Sequence, residues 1–467
     1  MWVSNTHGWG LRTAHTLPAR TPNPHQASRL RRVAPVDVHI ALLGYGTVGA
    51  AVHRLLEDTS DEIARATGRR LRVTHALVRD LEKERGHSPA EGVLTSDVEA
   101  ILGDGEIAVA AELMGGLEPA GSYVLSLLER GVSVVTANKQ LVAHRSPELF
   151  AAAAQSGAQV RFEACVCAAI PVVRVLREAL VATNVHRVLG IVNGTTNFVL
   201  GEMEAGRTYE EALAEAQRLG YAEADPVDDV SGTDAAAKMA ILASVAFGAR
   251  VAPEDVEVQG IEAVTPAHIA AARALDMTVK LVGQATTTEE GADVRVGPAL
   301  VDRHHPLASV EGAFNAVMLQ GDAIREITLS GPGAGGIETA SAVVADLVSI
   351  VGTTGPGFLQ DDPARRALPR APAEAVRSPF YVRIDVDDRP GVLARIAGHL
   401  AVEGVSVARL VQSQADGGAT LHVVTHEASA ARLAASLRQI AAMPETRGSP
   451  TALRVVSDRG VEELGWT

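Results

Sequence analysis

The chain has 467 residues, 47% apolar and 21% charged, which suits roughly two to four globular domains and excludes wholesale disorder. A formal net charge of −14 lacks the basic footprint of a nucleic-acid or anionic-membrane binder. Its two cysteines, Cys165 and Cys167, cannot build a disulfide scaffold or a four-thiolate zinc site, and read as small core residues in a reducing cytoplasm.

Residues 1–36 hold no Asp or Glu, several Arg and four Pro, and show no period. They read as a disordered extension, with an organellar leader or an untidy start as alternatives. No apolar run reaches membrane length. Val38–Leu43 reads as a buried strand, followed by Gly44-Tyr-Gly-Thr-Val-Gly49 and a helix over Val48–Leu56. Strands at Leu71–Val78, Ile107–Leu113 and Val132–Thr136, with a helix at Tyr123–Arg130, continue the alternation of a doubly wound parallel sheet, the α/β class. This domain spans 37–150.

From 151 the rhythm changes to an α+β pattern that runs to 335. Val160–Ala164 and Val185–Val192 read as strands; Val172–Leu180, Tyr209–Leu219 and Asp234–Phe247 read as helices. Two strand-like runs near 310–335 lead through Gly331-Pro-Gly-Ala-Gly-Gly336 to a helix over Thr339–Val351, so that 336–352 returns to complete the first domain. Residues 354–379 carry five Pro and read as a linker. Residues 380–456 follow a β-α-β-β-α-β order: Phe380–Val386, a helix to Leu400, Val405–Gln412, Ala419–Thr425, a helix at Ser429–Ala441, and Leu453–Val456. That order is ferredoxin-like.

The glycine motif after the first strand has the context that gives it meaning. Gly44, Gly46 and Gly49 permit a tight turn and a close approach by pyrophosphate, while Thr47 and Val48 open the helix whose N-terminus favours it. After the second strand come Arg79, Asp80 and Lys83. The cations suit a ribose 2′-phosphate, so NADP(H) is preferred over NAD(H). A structural turn with solvated loop charges is the alternative.

Of 42 basic residues only Lys83, Lys139, Lys238 and Lys280 are Lys. A titratable amine does what a guanidinium cannot, so each is worth following. Between Glu223 and Lys238 lie too many carboxylates for a core helix, and Asp234 and Lys238 fall i,i+4 on one helical face. Carboxylates that hold an ammonium group beside an amine that handles a proton, or an ordinary exposed ion pair, both fit that spacing. Lys139 ends the strand Val134–Thr136 at the sheet's carboxyl edge, where open α/β sheets bind ligands. His304-His305 reads as a polar turn. The fifteen His include no H-E-x-x-H, and the pair His422 and His426 sits on and just past a strand, so neither a zinc site nor a catalytic His is expected from the sequence.

Taken together, Gly44–Gly49, Val135-Thr-Ala-Asn-Lys139, Asn193-Gly-Thr-Thr-Asn-Phe198, Gly220-Tyr-Ala-Glu-Ala-Asp-Pro226 with Gly232–Lys238, and Phe314-Asn-Ala-Val with Gly331–Gly335 closely resemble the homoserine dehydrogenases. Asp388-Arg-Pro-Gly-Val-Leu393 resembles the start of an ACT domain, a small-molecule sensor. The resemblance implies a Rossmann-like nucleotide domain, a catalytic and dimerisation domain, and reduction of L-aspartate 4-semialdehyde to L-homoserine. It implies that Glu223 and Asp234 hold substrate, that Lys238 is general acid and base, and that Lys139 lies near the nicotinamide. Gly220 and Gly335 would line the cofactor. A monovalent cation, Na+, would sit at Glu163, Val166, Ala168 and Ile170, although Ala168 and Ala169 stand in that segment where the family usually has Gly. Homodimers or homotetramers, and an amino-acid effector such as threonine at the ACT domain, are also implied. Removing 380–467 is expected to leave activity and abolish that inhibition. The competing readings are another ACT-containing Rossmann dehydrogenase and a catalytically weak amino-acid sensor.

Overall fold

The computed structural model describes residues 35–352, 369–372, 374–415 and 418–456. The extension at 1–34, most of the proline-rich stretch and the last residues lie outside that set. Six parallel strands form the first sheet: β1 (Val36–Leu43), β2 (Arg69–Leu77), β3 (Leu94–Thr95), β4 (Ile107–Glu112), β5 (Ser133–Thr136) and β6 (Val160–Arg161). Their spatial order is β3-β2-β1-β4-β5-β6, so the winding reverses between β1 and β4.

Both faces of this sheet are covered, which is why its strands read as continuous apolar runs. Ile40 and Leu42 point to one side. There they pack with Val52 and Leu56 of the helix Thr47–Asp58, and with Val343, Leu347 and Ile350 of the helix Gly336–Gly352. Ala41 and Leu43 point to the other, against Val124, Leu127 and Leu128 of the helix Ala120–Glu129. The late helix thus shares the core of the first domain, although nearly three hundred residues separate it from β1.

The second sheet is mostly antiparallel. Its path runs from Ile324–Pro332 through Phe314–Gly321, Val185–Ile191, Met277–Thr288 and Gly291–Asp302. It then continues, without a break, through Thr451–Val456, Phe380–Val386, Gly418–Thr425 and Val407–Ala415. The last four strands have the expected ferredoxin-like order. They join the other five strands of that sheet by parallel pairing of Ala299–Val301 with Arg454–Val456. Tyr381, Val424, Leu453 and Val455 belong to the same apolar cluster as Leu281, Val296 and Leu300.

Several expected elements end differently. Strand β6 stops at Arg161, because Glu163–Cys165 turns as a 3₁₀ helix. The helix from Val172 is α-helical for one turn and widens to a π-helix over Val175–Ala179. The long hairpin Met277–Thr288/Gly291–Asp302 was not expected; its strands are buried on both faces, so no alternation announces them. At the end of the expected linker, Pro369–Ala371 is not a free spacer: the Ala292 and Ala371 N–H groups donate to the Pro369 and Ala292 carbonyls. His305 is buried; its Nδ1 accepts the Leu307 N–H.

Candidate active site

The carboxyl edge of the first sheet opens, at the reversal between β1 and β4, on a cleft of about 1370 Å³. Gly44, Gly46, Thr47, Arg79, Lys83, Met114, Gly115 and Ile337 are among its walls. The three glycines serve different ends. Gly44 has φ +108°, and a Cβ there would lie 2.8 Å from the Leu113 carbonyl oxygen. A Cβ on Gly49 would lie 2.3 Å from the Gly44 oxygen, so this glycine lets the helix pack onto the turn. A Cβ on Gly46 would meet no protein atom within 4 Å. The chain thus leaves the space beside Gly46 open, as a turn that lets a dinucleotide phosphate approach requires. Val48 and Gly49 face the core rather than the cleft.

Gly335 (φ +136°) precedes the late helix, and a Cβ on its neighbour Gly336 would lie 2.8 Å from Thr47 Cγ2. The glycine-rich loop therefore does come to the dinucleotide turn. Gly220 (φ +77°) ends the Tyr209–Arg218 segment away from the cleft walls.

A second set of groups gathers where the chain leaves β5, at the same carboxyl edge of the sheet. Asp234 is buried in the first turn of the helix Thr233–Phe247. Its Oδ1 is 2.8 Å from Lys139 Nζ and its Oδ2 is 2.8 Å from Lys238 Nζ. One carboxylate thus bridges two ammonium groups. Burial alone would raise the Asp234 pKa, but the charges of Lys238 and Lys139 outweigh it and hold the acid well below its usual range. Burial likewise works to lower Lys238, and the Asp234 charge reverses it, so the amine stays protonated above its ordinary value. Lys238 Nζ also donates to the Val192 carbonyl at 2.9 Å. The amine is largely sequestered, not directed into solvent.

The helix approaches the sheet closely because Ala235, Ala236 and Ala237 are small and because Met239 occupies space that a side chain at Gly283 would fill. Lys139 is fixed from the other side. Asn138 caps its helix, accepting the Leu141 N–H at Oδ1, and donates to the Gly116 carbonyl at 2.6 Å. That ties the residue before Lys139 to Gly116, the neighbour of the cleft-lining Met114 and Gly115. Beneath it, the fully buried Glu112 accepts from Thr136 Oγ1 (2.6 Å) and from the Met114 and Gly115 N–H groups.

In the sequence Asn193 stands only as part of a family motif, and Asp229 has no assigned role. Asn193 Nδ2 donates to Asp229 Oδ1 (2.7 Å) and to Asp234 Oδ2 (2.9 Å), while its Oδ1 caps the helix Gly194–Glu204. The signal was present: Asn193-Gly-Thr-Thr-Asn197 is too polar for a buried stretch unless its side chains are all used. Glu223 lies exposed on the loop after Gly220, with its carbonyl held by Gln217 Nε2. Lys280 is buried and structural, its Nζ donating to Asn197 Oδ1 and to the Val310 carbonyl.

The Glu163 carboxylate accepts the Val173 and Arg174 N–H groups at 2.8 Å each, while the Glu163 N–H donates to Asp346. Burial, helped by Asp346, pushes Glu163 up to about 7. In the following loop Cys167 (φ +53°) and Ala168 (φ +40°) hold the left-handed backbone that glycine would hold without strain. Both thiols are pushed up by burial, so neither is a ready nucleophile.

The family model described as the homoserine dehydrogenase NAD-binding domain matches residues 44–163, that described as homoserine dehydrogenase matches 171–348, and an ACT domain model matches 380–445. Homoserine dehydrogenase of Corynebacterium glutamicum is 41% identical over 432 residues, covering 90% of this chain and 96% of its own. This chain belongs to the homoserine dehydrogenase family. The corresponding Bacillus subtilis protein is 38% identical over 92% of this chain and 99% of its own. A crystal structure of a homoserine dehydrogenase from Thiobacillus denitrificans aligns with TM-score 0.85 at 40% identity, covering 92% of this chain and 99% of that one. A hyperthermophilic archaeal homoserine dehydrogenase in complex with NADPH aligns with TM-score 0.58 at 28% identity, over 69% of this chain and all of that one. The chain is an NAD(P)-dependent oxidoreductase of this family with an ACT domain. Among the described residues, no helix is long and apolar enough to cross a membrane.

Proposed function

We propose that this chain reversibly reduces L-aspartate 4-semialdehyde to L-homoserine with NADPH, in the cytoplasmic synthesis of threonine, methionine and isoleucine. The observation that carries the reading is the Lys139–Asp234–Lys238 bridge at the edge of the nucleotide cleft. When bound, the nicotinamide supplies or accepts the hydride at the substrate's C4. Gly44, Gly46, Thr47, Gly335 and the more distant Gly220 serve the dinucleotide, and Arg79 and Lys83 take the 2′-phosphate. Lys238 gives a proton to the carbonyl oxygen as it becomes a hydroxyl, and removes it in the reverse direction. Lys139 adds positive charge beside the same oxygen, which stabilises the developing negative charge in a water-poor site. Asp234 and Glu223 hold the substrate's amino group and hydroxyl.

A monovalent cation at Glu163, Val166, Ala168 and Ile170 belongs to the same proposal. A buried carboxylate and backbone carbonyls are hard oxygen donors, which suit Na+, and the loop already has its left-handed backbone. No catalytic step depends on it. The ACT domain takes an amino acid, threonine in this proposal. The exposed edge strands Ile324–Pro332 and Val407–Ala415 support assembly into a homodimer or homotetramer.

Aspartate-semialdehyde-dependent oxidation of NADPH, measured against NADH with threonine and Na+ varied, tests all of this. Arg79→Ala should raise the KM for NADPH about 10-fold or more, the size of one lost charge-assisted contact, and leave that for NADH nearly unchanged. Cofactor binding without turnover would leave the chain a sensor.

A further inference from the structure

We infer that His53, Glu57 and His87 form a site for one zinc-type divalent transition-metal ion beside the nucleotide cleft. His53 and Glu57 lie i,i+4 on the helix Thr47–Asp58, on one face. His87 arrives from the loop that follows Arg79 and Lys83 and lines the cleft itself. Nothing in the proposed reaction uses any of the three.

The distances, to the two oxygens of one carboxylate, suit metal ligands as well as ion pairs. His53 Nε2 lies 3.5 Å from Glu57 Oε1, and His87 Nε2 lies 3.0 Å from Glu57 Oε2. Tetrahedral zinc, with bonds of about 2.0–2.1 Å, places neighbouring ligand atoms about 3.3 Å apart. One ligand atom from each residue lies within 4.8 Å of the other two, and no other such trio exists among the described residues. The imidazoles stand nearly perpendicular, at 79°, with centroids 5.0 Å apart.

An ordinary hydrogen-bonded cluster explains the arrangement less well. His87 Nε2 is shielded from solvent and close to the Glu57 carboxylate, yet makes no hydrogen bond with it. The nitrogen is therefore not aimed at the oxygen. A third body between them satisfies both.

The surroundings prepare His53 as a ligand. It is buried, and its Nδ1 lies 2.8 Å from the Tyr45 hydroxyl. With the proton on Nδ1 donated to the Tyr45 oxygen, Nε2 presents its lone pair towards Glu57, as outer partners of metal-bound imidazoles do. Burial also lowers the His53 pKa, which favours the neutral ring that a metal needs. Two imidazoles and one carboxylate select zinc, cobalt or nickel over magnesium or calcium. Three protein ligands leave a fourth position open.

The test uses the full-length chain, freed of metal with a chelator and then titrated with Co2+. One equivalent per chain, with the strong visible absorption of low-coordinate cobalt and displacement by Zn2+, is expected. His87→Ala and Glu57→Gln, both at solvent-accessible positions, should weaken that binding roughly 100-fold or more. His144→Ala, at the separate His144–Glu254 pair, should leave it unchanged. Failure of the wild-type chain to take up cobalt, or equal uptake by folded His87→Ala, overturns the site.

Discussion

Asp234 and Lys238 are four residues apart, and the sequence alone left them as either a surface ion pair or a proton-handling site. Burial excludes the exposed pair and supports the proposed proton-handling site. An exposed pair contributes about 0–1 kcal/mol and tunes nothing. Here the carboxylate is buried between two ammonium groups, and the amine is held above its ordinary pKa. Lys238→Ala should lower kcat about 10²–10⁴-fold, the usual contribution of a positioned acid, while NADPH binding measured by fluorescence stays unchanged. A variant with near wild-type kcat would remove Lys238 from the reaction. A pH consequence follows from the same contacts. In homoserine oxidation only the neutral amine accepts a proton, so kcat should climb with pH far into the alkaline range. Asp234→Asn takes away the charge that raises Lys238 and leaves the burial that lowers it, so the alkaline limb should move to lower pH. An unmoved limb would mean that another group titrates. The partners Asn193 and Asp229 were harder to find, because they meet Asp234 only through the fold, 41 residues separating Asn193 from Asp234.

At the scale of the element, the turn Gly44–Gly49 was legible because strand, turn and helix follow one another locally. What the motif could not reveal is that its glycines do different work. A methyl at Gly49 meets backbone at 2.3 Å, whereas a methyl at Gly46 meets nothing. Gly49→Ala should therefore destabilise the fold by about 1–3 kcal/mol, as overpacking does. Gly46→Ala should keep the wild-type melting temperature and lose NADPH affinity, which paired thermal and binding measurements will separate. Loss of both properties in both variants would deny Gly46 a ligand role. The hairpin Met277–Asp302 was illegible for the opposite reason. Its partners on either face are distant in sequence, so burial on both sides removed the period by which a strand is read.

For the molecule as a whole, the order of the last four strands followed from their spacing, but their attachment did not. A proline-rich stretch suggested a detachable regulatory module. Instead, Thr451–Val456 continues the catalytic sheet, pairing with Ala299–Val301 of the strand Gly291–Asp302. The same strand passes beneath the reactive helix: a Cβ at Gly232, its N-cap, would lie 3.4 Å from Val296. One continuous strand therefore touches the regulatory domain near one end and the start of the Asp234–Lys238 helix further along. That contiguity offers the proposed effector a path of packed contacts to the helix bearing Asp234 and Lys238, and it changes what truncation should do. Deleting 380–467 strips Tyr381, Val424, Leu453 and Val455 from a shared core and bares the edge at Leu300 and Val301. Each buried aliphatic side chain contributes about 1.5–3 kcal/mol, so the loss is on the order of 5 kcal/mol, a large part of a typical fold's stability. The truncated chain should melt on the order of 10 °C lower and aggregate through its exposed strand. Asp388→Ala keeps the shared core, since among the described residues the Asp388 side chain bonds only Gln412 at the surface, and should weaken the proposed amino-acid inhibition while preserving the melting temperature. A truncated enzyme as stable and active as the full chain would show that the two sheets are joined in geometry but not in energy.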